Sequence, residues 1–225
     1  MMLAAAGPEE LLALDDLEPW ADPAAHPAFK KVTSGLASRE GVRELVLALF
    51  PVFTGRSRYA LAAKVSWIGL DDGKEVFADL HRALTVPAAD ADAGWGAVAA
   101  ALGVSREELE SARAGGHAEA DDLVTIVRQH GLRSAHEAVG VAWVLDRRLP
   151  ALFGELADAL ATHYGVAEEA LTHLRYRAAG GPEAEAQVRH LVRRYLSDPW
   201  AVFEARRAAR EVLWDLTALF EMVTL

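Results

Sequence analysis

The stretch that decides the fold is SAHEAVGVAWVLDRRLPALFGELADALATHYG, Ser134 to Gly165. Its apolar residues, among them Val139, Val141, Val144, Leu145, Leu149 and Leu152, return at helical spacing rather than at the period of two that marks a strand. Ser134 and Glu137 stand as a capping box opens a helix, a serine with an acid three residues on. Gly165 closes the stretch with the residue best suited to a left-handed C-terminal turn. Between the two signals lie ~30 residues, ~45 Å of helix. Pro150 falls inside and predicts a bend, because proline lacks the backbone donor and crowds the preceding turn.

The same period runs outward in both directions. Ala25 to Leu36 reads as a short helix carrying Phe29 and Val32. Ser38 caps a segment from Arg39 to Ile68, read as two helices or one kinked helix because Pro51 and Gly55 interrupt it. Asp71 caps a further helix to about Val86, and another covers Gly94 to Leu102. Ser105 and Glu108 form a second capping box. Gly180, Gly181 and Pro182 break the chain again, and Asp198 with Pro199 opens the last helix. No Asn-Gly or Asp-Gly hairpin turn, fixed-period repeat or long linker appears. The expectation is a single all-α domain over 1–225, seven to nine helices, with residues 1–22 a loosely attached N-terminal segment.

Composition narrows the function. The chain has 225 residues, of which 52 % are apolar, enough for a sizeable core. It has no cysteine, hence no disulfide, thiolate nucleophile or iron–sulfur ligand, which fits a cytoplasmic protein. A formal net charge of −10 argues against nucleic acid and anionic membranes, both of which call for a cationic face. The opening MMLAAAGPEELLAL lacks the basic start of a signal peptide, and no apolar stretch is long enough to span a bilayer.

Eight histidines invite a search for a metal. His117 with Asp121, and Glu169 with His173, have the four-residue spacing of a helical ligand pair. Acids at a helix start and a solvated helix face explain these pairs more simply. His81, His130, His163 and His190 have no acidic or histidine partner at helical spacing on an apolar face. No H-E-x-x-H, G-x-S-x-G, phosphate loop or dinucleotide fingerprint occurs. Of Trp67, Trp95, Trp143, Trp200 and Trp214, four are expected in the core, since each sits among aliphatics at helical spacing. Asp146, Arg147 and Arg148 interrupt an otherwise apolar helix, and Arg175 and Arg177 follow in the next. Such charges are ordinarily a solvated face. The sharper reading is an inward arginine that holds a carboxylate or an anionic ligand.

Several segments, in order along nearly the whole chain, resemble the haem-oxygenase-like superfamily, which includes thiaminase II, pyrroloquinoline-quinone synthase, the chlamydial death-domain-associating protein and di-iron oxidases. His26 to Phe29 (HPAF) resembles the entry to their first helix, and Gly35 to Glu40 (GLASRE) with LVLALFP their next turn and helix. The run AALGVSREELESA resembles their ALG connection. Val144 to Pro150 (VLDRRLP) resembles their I-E-x-Q-I-P step, His163 to Gly165 (HYG) their HYGL, and Ala208 to Trp214 their closing helix. The resemblance implies a haem-oxygenase-like helical bundle. It also implies a lost metal site. The iron-binding members' second glutamate falls on Asp146, and their H-x3-D-x2-H helix on Arg177, Gly181 and Ala184. Their early Glu and His fall near Arg82 or Ala83 and near Ala91.

The expectation that follows is a metal-independent enzyme, with no cofactor, acting on a small anionic metabolite in a biosynthetic pathway of secondary metabolism. Oxidation by dioxygen, hydrolysis and elimination all stay open. Asp146 and Arg177 are the expected catalytic pair; Arg147, Arg175, His81 and Trp143 are expected to bind substrate. A homodimer is expected, because the apolar surface from Trp200 to Val223 exceeds what one core needs. Two alternatives remain: a non-catalytic pseudoenzyme or partner subunit of an active relative, and a metal oxidase with rearranged ligands.

Overall fold

A computed structural model of the chain describes residues 7–8, 12–13, 22–54, 91–116, 118–180 and 182–222. The expected helix from Asp71 to Val86, with Trp67 and His81, lies outside them. Within the described residues are nine α-helices, a short 3-10 turn at Pro23–Ala25, and no strand. The helices are α1 (Pro27–Thr33), α2 (Arg39–Phe53), α3 (Ala91–Ala101), α4 (Arg106–Ser111), α5 (Ala118–Arg133), α6 (Ala135–Tyr164), α7 (Glu168–Ala178), α8 (Pro182–Tyr195) and α9 (Pro199–Met222). A wide π-turn over Ala112–Gly116 joins α4 to α5. The all-α bundle read from the sequence is the fold.

The local chemistry explains where each helix begins and ends. Ser38 accepts from the backbone N–H of Gly41 and starts α2. At α4 the box closes on both sides: Ser105 accepts from Glu108 N–H, and the Glu108 carboxylate accepts from Ser105 N–H. Those bonds and Arg43 hold the Glu108 carboxyl at about 2. Gly165 closes α6 at φ 68, a conformation that glycine adopts without penalty. Asp198 accepts from the N–H groups of Trp200 and Ala201 to start α9.

Helix α6 is the axis of the bundle, and α5, α7, α8 and α9 all pack on it. Its apolar stripe, including Val139, Leu149, Phe153, Leu156 and Leu160, is buried. Phe53 of α2, Trp95 of α3 and Phe153 of α6 form an aromatic cluster, with centroids 5.0–6.0 Å apart. The crossing of α6 and α9 is tight at Gly140. A Cβ there would lie 2.1 Å from the carbonyl oxygen of Ala205. Leu12 is fully buried, and the Ala13 carbonyl accepts from Arg206, so the N-terminal segment touches the bundle at this point.

Helix α2 ends at Phe53, with Pro51 in its last turn, and the remainder of the segment read from Arg39 to Ile68 lies outside the described residues from 55 onward. Two sequence expectations need correction. Glu137 is not spent on its cap. Ser134 accepts from Glu137 N–H, but the Glu137 carboxylate turns inward to His130 and Arg207. The tryptophans are not four-fifths core. Trp95 and Trp143 are buried, whereas Trp200 and Trp214 are exposed, because α9 is apolar beyond the face it gives to α6 and α5.

Candidate active site

A cleft of about 570 Å³ runs along α9 beside α5, lined among the described residues by Ile126, Phe203, Arg206, Arg207, Arg210, Glu211, Trp214 and Asp215. That volume suits a small molecule. Its positions follow from helical geometry. Phe203, Arg207, Arg210 and Trp214 succeed one another at intervals of four, three and four, so they form one stripe of α9. Glu211 and Asp215, four apart, form the adjoining stripe.

Behind the cleft lies a buried charged group drawn from three helices. His130 of α5 is 3 % exposed, and Glu137 of α6 is fully buried. Their contact, Nδ1 to Oε2, is 2.7 Å. An ionised carboxylate only accepts, so the imidazole donates this bond from Nδ1. Its other nitrogen, Nε2, lies 2.9 Å from Glu211 Oε2. That is an ion-pair distance, but the oxygen lies off the N–H axis and the buried nitrogen makes no aligned hydrogen bond. Arg207 ties the group together, donating to Glu137 and, at 3.1 Å, to Glu211. Burying Glu137 without such partners would cost several kcal/mol, roughly. The imidazole is thus bracketed by two carboxylates, one sealed in the core and one facing the cleft. Asp215 stands one turn further along. Burial, then the charges of Asp122 and Glu211, hold its carboxyl above the ordinary value, against an opposing pull from His130.

Bracketing is not metal coordination. The two carboxylates meet opposite edges of the ring and share no common point. Among the described residues no three His, Asp or Glu side chains are arranged to hold a metal ion.

Those of the expected residues that are described, Asp146, Arg177, Arg147, Arg175 and Trp143, are not among the residues lining this cleft. Asp146 is half-buried on α6. Arg177, half-buried on α7, places its guanidinium 5.9 Å from the Phe153 ring centroid. Burial lowers its pKa, and the charge of Asp146 raises it, so the two residues interact electrostatically. Arg147 is exposed and lies over the ring of buried Trp143, at 5.0 Å. Arg175 bridges Glu168 and Asp158, which raise its pKa in that order. His81 is outside the described residues. Arg177 thus lies beside the aromatic cluster, within electrostatic reach of Asp146, whereas the cleft is lined by α9 and Ile126 of α5.

His130, Glu137 and Glu211 were not read from the sequence as a site. His130 has no acidic or histidine partner at helical spacing on its own helix. Its partners come from α6 and α9, 7 and 81 positions away. Glu137 was hidden by a capping pattern that explained it locally. The one available signal was an acid and an arginine, Arg207 and Glu211, four apart on an apolar helix.

No protein-family model matches the chain, and no curated protein matches it. Solved structures do. A TenA family transcription regulator from Silicibacter sp. TM1040 aligns with a TM-score of 0.68 and 15 % identity, over 97 % of each chain. A TenA homologue from P. horikoshii OT3 gives 0.67 and 17 %, over 97 % of this chain and 98 % of that one. A TenA homolog from Pseudomonas syringae pv. tomato str. DC3000 gives 0.66 and 17 %, over 90 % and 86 %. At these identities the likeness is one of fold: the chain has the all-α fold of these TenA structures.

Proposed function

We propose that this chain is an enzyme acting on a small anionic metabolite of a biosynthetic pathway, with the α9 cleft as its active site and its own side chains as acid and base. One observation carries the reading: a buried imidazole oriented by Glu137 stands at 2.9 Å from Glu211, which opens onto the cleft. A carboxylate that fixes a histidine, with the histidine beside a second acid, is an arrangement suited to moving protons. Asp215, which keeps its proton to higher pH than a free aspartate, is the acid, and Glu211 the base. Arginines on the same stripe supply positive charge for an anion. Metal independence rests on the resemblance, which puts Arg177, Gly181 and Ala184 where relatives carry ligands.

The test is turnover in a metabolite extract, followed by mass spectrometry, with wild type and Glu211→Gln. Glu211 is partly exposed, so the amide fits without unfolding the chain. An anionic metabolite consumed by wild type should persist with the variant. If wild type consumes nothing, or the variant is equally active, the reading fails.

A second reading has its own support. Trp200 and Phe203 stack in solvent, with centroids 5.5 Å apart, at the start of α9. Exposed aromatics of this kind suit a subunit contact. It is compatible with a homodimer of the enzyme, or with a non-catalytic partner subunit if turnover is absent.

A further inference from the structure

Among the described residues, the α9 cleft holds a cation that the fold does not use. Arg207 is held by Glu137 and Glu211, and Arg206 donates to the Ala13 carbonyl. Arg210 lines the cleft, is exposed, and makes no hydrogen bond, ion pair or ring contact among the described residues. Its planar fork of donors matches the two oxygens of a carboxylate or phosphate. Charge decides between these. Glu211 follows Arg210 in the chain, Asp215 lines the same cleft, and the chain as a whole carries −10. A carboxylate brings one negative charge to one guanidinium. A phosphate monoester brings ~1.5–2 near pH 7, and the excess would face the two acids. The cleft therefore favours the monoanion.

Its other end is apolar. Phe203 lies seven residues before Arg210, two helical turns, so it shares the stripe at a distance of ~10 Å along the axis. Its ring stacks on Trp200, yet 55 % of the residue remains exposed and lines the cleft. Ile126 of α5 adds a second apolar side chain to the lining. Arg207 stands between the two ends, but its charge is drawn to Glu137 and Glu211, so no second free charge interrupts the interval.

We propose that the α9 cleft binds a monocarboxylate with an apolar body, its carboxylate on Arg210 and its body along the stripe to Phe203 and Ile126. The proposal rests on the cleft being the active site and names its substrate class. A short carboxylate pairs the arginine and leaves the apolar end wet. A neutral molecule of the same shape covers the apolar end and leaves the guanidinium unpaired.

Four probes separate these cases by calorimetry: hydrocinnamate, acetate, hydrocinnamamide and phenylethyl phosphate. Hydrocinnamate should bind saturably and tightest of the four. Acetate, which lacks the body, and hydrocinnamamide, which lacks the charge, should each bind about tenfold weaker or less well still. Phenylethyl phosphate should fall below hydrocinnamate, and further below it as pH rises and its second proton leaves. Arg210→Gln should weaken hydrocinnamate about tenfold or more and leave hydrocinnamamide unchanged. Phe203→Ser should bring hydrocinnamate down toward acetate. Both residues are exposed, and unchanged circular dichroism shows that the variants fold. Equal affinity for hydrocinnamate and its amide, tighter binding of the phosphate, unchanged binding in either variant, or no binding of hydrocinnamate at millimolar concentration overturns the proposal. The outcome is separable from the enzyme reading. If hydrocinnamate fails while turnover still depends on Glu211, only the substrate class is wrong. If it binds as expected while no turnover occurs, the site stands and the catalysis does not.

Discussion

At the scale of the residue, Glu137 shows how little a local pattern says about a carboxylate. Three residues after a serine it reads as a cap, yet it is fully buried and holds His130 and Arg207. Removing one partner from such a group leaves the others buried without compensation, at a cost on the order of 3–5 kcal/mol. Glu137→Ala should therefore lose about that much stability in urea unfolding; a loss under about 1 kcal/mol would show that the buried group is not a charged network. Asp215 gives a prediction of opposite sign. Its folded carboxyl titrates above the ordinary value of 3.8, through burial first and neighbouring acids second. As pH rises past that value the unfolded chain ionises before the folded one, so stability falls until the folded carboxyl has ionised as well. Asp215→Asn removes this deficit. The variant should melt above wild type at pH 7, and the gap should close at a pH below 3.8, in thermal melts taken across that range. A gap that is constant with pH would remove the raised carboxyl, and with it the proposed acid.

At the scale of the element, the contact between α6 and α9 sets the position of the cleft, because Glu137 and Glu211 come from these two helices. Gly140 allows that contact. A methyl group there would meet the Ala205 backbone at 2.1–2.7 Å, and backbone cannot swing aside as a side chain can. Overpacking costs ~1–3 kcal/mol, more than the gain of up to ~1 kcal/mol that alanine brings to a helix. Gly140→Ala should be destabilising. Gly154 is the control on the same helix: its added methyl would meet only the Ala178 methyl at 3.5 Å, an ordinary contact. Gly154→Ala should be neutral or stabilising by up to ~1 kcal/mol. Denaturant midpoints of the two variants decide the matter; equal effects would mean that the crossing is looser than described.

At the scale of the whole molecule, α9 carries more apolar surface than one bundle covers. Trp200, Phe203 and Trp214 account for three of the large apolar side chains left exposed among the described residues. Light scattering at micromolar concentration should return twice the 24.3 kDa chain mass, and Trp200→Ser should shift the mass toward that of one chain. A monomer at that concentration would refute the dimer. The net charge of −10 repels a second copy at long range, so association should strengthen with salt as that repulsion is screened.

What the sequence determined by itself is local. Periodicity, Ser105 with Glu108, Gly165, and Asp198 with Pro199 concern neighbours within one or two turns, and their chemistry is complete within the segment. The helices and most of their ends were legible for that reason, and so was the fold, through short motifs kept in order. The cleft was decided by tertiary structure alone. His130, Glu137 and Glu211 lie on separate helices, and nothing in their spacing records that the packing of α5, α6 and α9 brings them together. The exposure of Trp200 and Trp214 was hidden in the same way. An apolar stripe shows that a helix has a face to bury, but only the arrangement of its neighbours shows which part of that face remains uncovered.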